Sequence, residues 1–209
     1  MTEYFVPTGQ GECEYVEKRS RFLGAVYPVE SEAQARACIE SLKKKHYDAR
    51  HHCWCFRLRG GVERYSDDGE PQGTAGQPML NVFPREGVEN VLCVVTRYFG
   101  GLLLGAGGLV RAYTQAAKEA LDAAGTSVVR RWVEVAAPCP YALFERVKLT
   151  VESCGGVLGE TGYAADVTVH ALLPEERVDG FTLAMTELMA GASGVEILGE
   201  AYQAVPVEK

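Results

Sequence analysis

A glycine-rich segment between two arginines is the part of the sequence best suited to bind an anion. Residues 97–111 read RYFGGLLLGAGGLVR, with Arg97 and Arg111 at the two ends. Glycines leave backbone amides bare, and amides at the start of a helix attract negative charge. A guanidinium group adds a planar fork that donates two parallel hydrogen bonds to a phosphate. The predicted anion site consists of the two arginines and four of the glycines: Arg97, Arg111, Gly100, Gly101, Gly107 and Gly108.

The spacing of these glycines matches neither of the two common phosphate-binding signatures. Gly100 and Gly105 have the separation found in a Walker A loop, but Ala106 stands where that loop requires lysine. A dinucleotide fingerprint counted from Gly105 places its third glycine at position 110, which is valine. The alternative interpretation is structural, because glycines also allow a strand and a helix to pack closely. The sequence leaves both interpretations open.

A second group of polar residues lies in the stretch between residues 60 and 78, which we predict to be a long loop. Asp67, Asp68 and Glu70 supply the oxygen ligands that divalent cations prefer, although their spacing is not that of an EF-hand. Carboxylates in turns also accept hydrogen bonds from backbone amides. A third possibility is an ion pair between one of the two aspartates and an arginine of the glycine segment, which would leave that arginine unavailable to phosphate.

A strand predicted over residues 50–59 brings two histidines and two cysteines close together. His51 lies on the same face as Cys53 and Cys55, whereas His52 lies on the opposite face. The cysteines lack the spacing of a zinc knuckle and no second pair follows, so we predict buried thiols and no metal. Both histidines are candidate ligand-binding residues, because this strand is suited to lie beside the one that precedes the glycine segment.

The elements that must position these residues divide the chain in two. An apolar run at 91–96 predicts a strand before the glycine segment, and the helix after that segment ends at Gly125. Beyond it, the hydrophobic pattern predicts the order β-α-β-β-α-β of a ferredoxin-like domain. We therefore predict an α+β protein with domains at residues 1–127 and 128–209.

Composition limits the classes of function. The chain has 209 residues and a net charge of −7, which is not typical of a general nucleic-acid binder. Residues 1–125 carry 15 Lys and Arg against 16 Asp and Glu, whereas residues 126–209 carry 6 against 12. A polyanion-binding surface is therefore expected only in the first half. Seven scattered cysteines and the lack of an apolar leader or span predict a cytoplasmic protein with reduced thiols and no membrane contact.

Five ordered segments show a resemblance to a known family over essentially the full length. They are residues 20–24 (SRFLG), 49–53 (ARHHC), 66–76 (SDDGEPQGTAG), 96–101 (TRYFGG) and 104–113 (LGAGGLVRAY). With these segments the chain resembles the IMPACT family, including its bacterial YigZ-type members. One departure is that Cys55 and Phe56 stand where the family often has alanine and tyrosine.

The resemblance implies a fold for each domain and a general role in translation. It implies an N-terminal domain like the second domain of ribosomal protein S5, and a ferredoxin-like domain similar to the last domain of elongation factor G. Eukaryotic relatives resemble translation regulators that compete for the scaffold activating the amino-acid-starvation kinase. That partner is not expected here, because no scaffold-binding extension precedes the matching segments. For bacterial members the family implies translation-linked or RNA-associated roles.

Two functions follow as hypotheses, together with the structural alternative given above. The first is a non-enzymatic regulator that binds the ribosome, RNA or a translation factor through the glycine and arginine surface. The second is a metal- or phosphate-dependent enzyme that acts on a small phosphorylated substrate through Asp67, Asp68 and Glu70. The sequence has no nucleophile and base at a spacing that indicates a catalytic pair. The regulator hypothesis is therefore preferred, and no cofactor is predicted. The sequence makes no prediction of oligomeric state.

Overall fold

The computed structural model describes residues 3–191 and 194–206. The protein is a mixed α and β chain with two sheets, as the sequence predicts. It forms two compact units, one containing Tyr4–Val129 and the other containing Arg130–Gln203. In the described part of the chain, no helix combines the length and the apolar character that a membrane span requires. The boundary at residue 127 remains a prediction, and that residue lies in strand β7, Thr126–Cys139.

The N-terminal unit is built on an antiparallel sheet with the strand order β2-β3-β6-β4-β5. Its strands are β2 (Gly11–Glu17), β3 (Ser20–Pro28), β4 (His51–Leu58), β5 (Val62–Ser66) and β6 (Val91–Tyr98). Strand β1, Tyr4–Pro7, pairs instead with the first residues of β7. The unit's helices are α1 (Glu32–Lys45), α2 (Gly76–Leu80), α3 (Val82–Arg85) and α4 (Ala106–Ala124).

Strand β6 is the centre of this unit because both of its faces are covered. Leu92 and Val94 pack with the apolar face of α1 on one side. Cys93 and Val95 pack with α2, α3 and α4 on the other side. A strand buried on both faces has an apolar sequence without alternation, which is why residues 91–96 read as a continuous run.

Small residues hold α4 close to the sheet. A Cβ added at Gly11 would lie 2.2 Å from the backbone nitrogen of Ala124, and one added at Gly24 would lie 2.7 Å from the carbonyl oxygen of Ala116. Only glycine therefore fits where β2 and β3 pass under the helix. This close packing fixes the direction in which the N-terminus of α4 points.

The loop predicted over residues 60–78 is shorter than expected. Strand β5 occupies part of that stretch, and α2 begins at Gly76. A hairpin through Gly60 and Gly61, whose φ angles are 91° and 87°, connects β4 to β5. The remaining acidic loop, defined here as residues 67–75, lies between β5 and α2.

The C-terminal unit has the order of elements that the sequence predicts. Its further elements are α5 (Phe144–Ser153), β8 (Val157–Tyr163), β9 (Val167–Pro174), α6 (Val178–Leu188) and β10 (Glu196–Pro206), with short 3-10 turns at Tyr141–Leu143 and Glu175–Arg177. The sheet places β7 beside β9 and β9 beside β8, and β10 also pairs with β7. Its core includes Val147 and Val151 of α5 and Phe181 of α6.

Candidate functional site

The glycine loop, defined here as residues 99–105, joins the end of β6 to the start of α4. Gly105 is the N-cap residue with a φ of 73°, and it has no side chain with which to cap the helix. The first intrahelical bond runs from the amide of Leu109 to the carbonyl of Gly105, 3.0 Å away. In the part of the chain that the structure describes, the amides of Ala106, Gly107 and Gly108 have no acceptor. These amides form the positive end of a 19-residue helix.

Arg97 lies beneath this helix start and is engaged in a buried ion pair. Its Nη1 donates to Oε1 of Glu70 over 2.6 Å, and its Nη2 donates to the Ser20 hydroxyl over 3.3 Å. The Tyr113 hydroxyl donates to the same Glu70 oxygen over 2.8 Å. Burial raises the pKa of Tyr113 strongly, so its hydroxyl stays protonated and remains a donor.

The ion pair corrects one detail of the structural alternative. An arginine of the glycine segment does pair with the acidic loop, but its partner is Glu70 and neither of the two aspartates. Arg97 is 5% exposed, and its Nε is a buried donor without a hydrogen-bond partner among the described residues. The Nε–H group therefore remains unpaired although the side chain forms an ion pair.

Asp67 organises the acidic loop from within. Its Oδ1 accepts from the amides of Ala75 and Gly76 at 3.0 and 2.8 Å, and its Oδ2 accepts from the amide of Gly73 at 2.8 Å. The Cys53 thiol donates to its carbonyl oxygen over 3.0 Å. Both carboxylate oxygens of Asp67 thus satisfy backbone donors of the loop and of the first turn of α2.

Asp68 connects the loop to β4. Its Oδ2 accepts from the backbone amide of His52 over 2.7 Å, and it lies 3.8 Å from Nδ1 of the same histidine. The His52 ring donates from Nε2 to the carbonyl of His46 over 3.1 Å. In residues 3–191 and 194–206, no three His, Cys, Asp or Glu side chains are grouped in a way that would hold a metal ion.

The two adjacent histidines have different surroundings, as their alternation along β4 predicts. His51 lies directly opposite Arg97 in the sheet, on the face that carries α4. Its Nδ1 is 2.8 Å from the carbonyl oxygen of Asp68. Since a carbonyl oxygen only accepts, Nδ1 carries the hydrogen and Nε2 is the nitrogen left for a ligand. His52 is buried on the other face and does not reach this place.

These groups meet in a cleft of about 370 Å³ in the N-terminal unit, which we call the donor cleft. Arg50, His51, Glu70 and Arg97 supply its polar wall. Its apolar wall and the helix start complete the lining: Pro71, Phe99, Leu103, Leu104, Gly105, Ala106 and Leu109. The size is that of a small-molecule site, and a largely apolar wall with a few polar groups is typical of such sites.

A second cleft, of about 390 Å³, lies on the other side of the glycine loop. Lys18, Arg111 and the acidic Glu17 line it, and Leu104 belongs to the lining of both clefts. Gly100 connects the loop to the β2–β3 hairpin, because a Cβ there would lie 2.1 Å from the backbone carbon of Arg19. Lys18 and Arg19 form the tip of that hairpin with φ angles of 46° and 65°, which are unusual for side chains of this size.

The structure thus brings together only part of the predicted ligand set. Arg97, Glu70 and His51 share the donor cleft, whereas Arg111 lies on the other side of the glycine loop. Gly101 is exposed at the tip of that loop. The sequence did not reveal that Ser20 and Tyr113 hold the ion pair, because neither has a distinctive spacing. The sequence did contain a signal that Phe99 and Leu103 belong to the site, since large apolar residues in a predicted loop are uncommon.

The fold and the site define a two-unit mixed α and β protein with a donor-rich cleft in its N-terminal unit. The same N-terminal unit carries the match to a known family. Residues 18–121 match the model of the Impact N-terminal domain, and residues 139–192 match a domain of unknown function, DUF1949. The chain belongs to the IMPACT family.

Relatives in that family cover nearly the whole chain. The chain is 34% identical to IMPACT family member YvyE of Bacillus subtilis over 199 residues, which cover 94% of this chain and 91% of that protein. It is 33% identical to IMPACT family member YigZ of Escherichia coli over 196 residues, covering 92% and 96%. Protein IMPACT of Mus musculus is 32% identical over 111 residues, which cover 50% of this chain and 34% of that protein.

A solved structure is also similar over the full length. It is described as the crystal structure of an hypothetical protein, and it is 31% identical to this chain. The superposition has a TM-score of 0.59 and covers 95% of this chain and 98% of the other.

Proposed function

We propose that this chain is a cytoplasmic, non-enzymatic regulator associated with translation, which binds the ribosome, RNA or a translation factor through its N-terminal unit. The family resemblance supports the link to translation. The proposal assigns residues 1–127 to a domain like the second domain of ribosomal protein S5. It assigns residues 128–209 to a ferredoxin-like domain similar to the last domain of elongation factor G.

The observation on which the binding proposal rests is a set of basic side chains around the glycine loop that have no acidic partner. We call this set the basic rim, and it consists of Lys18, Arg19, Arg50 and Arg111. None of them forms a hydrogen bond or ion pair within the described residues. Some other arginines of the same unit do pair with carboxylates, as Arg21 does with Glu14 and Arg57 does with Glu63. Unpaired cations beside a helix N-terminus favour a negatively charged partner.

The charge distribution limits the contact to this unit. Residues 1–125 have 15 basic and 16 acidic side chains, so this part of the chain is nearly neutral. Its net charge therefore does not cancel the local excess of positive charge at the basic rim. Residues 126–209 have 6 basic and 12 acidic side chains, and that segment would repel a polyanion. An RNA partner is therefore expected to contact the N-terminal unit alone.

The glycine loop adds an apolar component to the same surface. In that loop Phe99 is 45% exposed and Leu103 is 85% exposed. Aromatic side chains beside arginines are typical of surfaces that stack single-stranded bases and bind the adjacent phosphates. This combination favours RNA over an acidic protein as the partner.

The enzyme alternative has less support from the geometry. Asp67 accepts hydrogen bonds from three backbone amides, and Glu70 is held by Arg97 and Tyr113. A substrate-bound metal would compete with these contacts for the same oxygens. The acidic loop is therefore better explained as the support of the donor cleft.

The test is co-sedimentation of the purified protein with ribosomes across a salt series. We expect binding that falls steeply as salt rises, because phosphate contacts release counterions. The double variant Lys18→Ala, Arg111→Ala is expected to weaken binding and to reduce the salt slope by about two. Arg97 is left unchanged, because its removal would disturb the buried ion pair.

A charge-matched control separates this surface from net charge. Lys44→Ala with Arg85→Ala removes two exposed basic side chains from α1 and α3 and is expected to bind as the unchanged protein does. Equal loss in both double variants would refute the basic rim as the binding surface. Binding that resists salt would indicate a ribosomal protein as the partner in place of RNA.

A further inference from the structure

We propose that the helix face of the C-terminal unit binds a second copy of this chain about a two-fold axis. The proposal goes beyond the proposed function, which concerns the N-terminal unit alone. The surface is a groove of about 440 Å³ between α5 and α6, which we call the helix cleft. Arg146, Leu149 and Ser153 of α5 line it on one side, and Ala184 and Glu187 of α6 line it on the other.

Apolar side chains at the helix cleft are open to solvent, although the opposite faces of both helices are buried. Leu149 of α5 and Leu183 of α6 are each 63% exposed. Val151 and Phe181, on the inner faces of the same two helices, are fully buried in the core of the unit. Single exposed leucines are common on protein surfaces, so these two do not by themselves identify a partner. The charges beside them do.

The charges at the helix cleft lie at helix ends where they do not stabilise the helices. Arg146 is in the first turn of α5, and Glu187 is in the last turn of α6. The helix macrodipole favours the opposite sign at each of these ends. In the part of the chain that the structure describes, neither side chain has an ion-pair partner. Both observations are explained if each side chain meets an opposite charge on another molecule.

The topology of the unit places the two charges at the same end of the helix cleft. Strands β7 and β9 are antiparallel, so α5, which follows β7, and α6, which follows β9, begin at opposite ends of the sheet. The start of α5 therefore lies beside the end of α6. Leu149 lies one helical turn after Arg146, and Leu183 lies one turn before Glu187. Both helices thus present a charge and then a leucine along the cleft, with charges of opposite sign.

This order makes the helix cleft complementary to itself. A rotation of 180° about an axis parallel to the helices sets α5 of one copy against α6 of the other and keeps every residue at its level along the axis. Arg146 then faces the partner's Glu187, and Leu149 faces the partner's Leu183. The reciprocal contacts follow from the symmetry, which is what an isologous interface requires. A partner carrying a single sign of charge would leave one of the two charged side chains opposite its like.

The experiment measures the molar mass of the full chain by sedimentation velocity at physiological salt, where charges are screened beyond about 8 Å. One copy has a mass of 22.7 kDa, and we expect the average mass to rise towards twice that value between about 10 and 200 μM protein. Arg146→Glu and Glu187→Arg should each weaken association by about tenfold or more, because each substitution makes two attractive contacts repulsive. Both substitutions suit the macrodipole, so the Tm at low protein concentration should not fall.

The decisive variant combines Arg146→Glu with Glu187→Arg in one chain. Its net charge equals that of the unchanged protein, and each reversed side chain again faces its complement across the two-fold axis. It should therefore associate as the unchanged protein does, although each single variant does not. The charge-matched controls are Lys44→Glu on α1 and Glu160→Arg on β8. Both positions are exposed and lie outside the helix cleft, so these controls should associate normally.

Three results would contradict the proposal. A constant mass of 22.7 kDa for the unchanged protein over this concentration range would exclude the two-fold pair. Association that survives both single reversals would overturn its placement at the helix cleft. Loss of association in both single variants without recovery in the combined variant would exclude the pairing of Arg146 with the partner's Glu187. None of these measurements involves RNA or ribosomes, so they leave the test of the proposed function separate.

Discussion

Arg97 and Glu70 are 27 residues apart in the sequence, and they form an ion pair of 2.6 Å with both side chains buried. Arg97 lies at the end of the central strand β6, and Glu70 lies in the acidic loop. The pair therefore ties that loop to the sheet directly below the start of α4. The position of this ion pair explains why the glycine segment and the acidic loop, which look like separate ligand sites in the sequence, form one wall of the donor cleft.

Removal of Glu70 is expected to destabilise the protein strongly. Glu70→Ala leaves the Arg97 guanidinium buried without its counter-charge, and breaking a buried pair in this way costs about 3–5 kcal/mol. The Tm should fall by roughly 10 °C or more in a thermal unfolding experiment. The control is Glu14→Ala, which breaks an exposed ion pair of 2.7 Å with Arg21 and should leave the Tm almost unchanged. A similar Tm for the two variants would show that burial does not determine the strength of these pairs.

Asp67 is expected to be a structural residue of the acidic loop. Asp67→Asn replaces one of its two acceptor oxygens with an amide that cannot accept from a backbone N–H group. Each hydrogen bond to a charged group contributes about 1.5–3 kcal/mol, so the loop should open more often. Hydrogen exchange is the measurement, and it should accelerate at the amides of Gly73, Ala75 and Gly76 while strand β6 remains protected. Unchanged exchange at these three amides would contradict the assignment.

Two glycines near the site should respond oppositely to alanine. A Cβ at Gly100 would lie 2.1–2.4 Å from backbone atoms of Arg19 and Ser20, so Gly100→Ala must move the hairpin tip and should cost about 1–3 kcal/mol. A Cβ at Gly107 would meet nothing closer than the Arg111 side chain at 3.7 Å. Because Gly107 lies within α4, Gly107→Ala should stabilise the protein by about 0.5–1 kcal/mol. Denaturant unfolding of both variants measures the difference, and destabilisation by Gly107→Ala would contradict the model of an open helix start.

The sequence predicts the glycine loop and its helix because their signals are local. Glycine content, the apolar run before it and Gly125 after the helix are all read from neighbouring residues. The family resemblance, which the Impact N-terminal domain match and the bacterial relatives confirm, depends on the same local segments. The alternation along β4 likewise places His51 and His52 on opposite faces without knowledge of the fold.

The partners of Arg97 could not be predicted in the same way. A strand buried on both faces lacks alternation, so its pattern does not show that Arg97 faces α4. Glu70, Tyr113 and Ser20 reach the guanidinium from three different elements, and only the strand register and the packing of α4 bring them together. Strand β5 was missed for a related reason, since a short, mostly exposed edge strand has little apolar pattern.

Alkaline pH is expected to destabilise the N-terminal unit through its buried thiols. Burial in the core raises the pKa of Cys53 well above its usual value of 9.0. The native state therefore keeps the Cys53 proton while the unfolded chain releases it. The stabilisation is fully present below about pH 9, and the free energy of unfolding falls by about 1.4 kcal/mol for each further pH unit.

The measurement is the slope of unfolding free energy against pH between pH 8 and about pH 10.5, from urea unfolding. Other buried groups with raised pKa values, including Cys55 and Tyr113, contribute to the slope of the unchanged protein. The informative quantity is therefore the difference that one variant makes. Cys53→Ala should make the decline shallower by about 1.4 kcal/mol per pH unit above pH 9. Val95→Ala, which truncates a residue of the same core without a titratable group, should lower stability at every pH and leave the slope unchanged. Equal slopes for Cys53→Ala and the unchanged protein would mean that this thiol titrates alike in the folded and unfolded states.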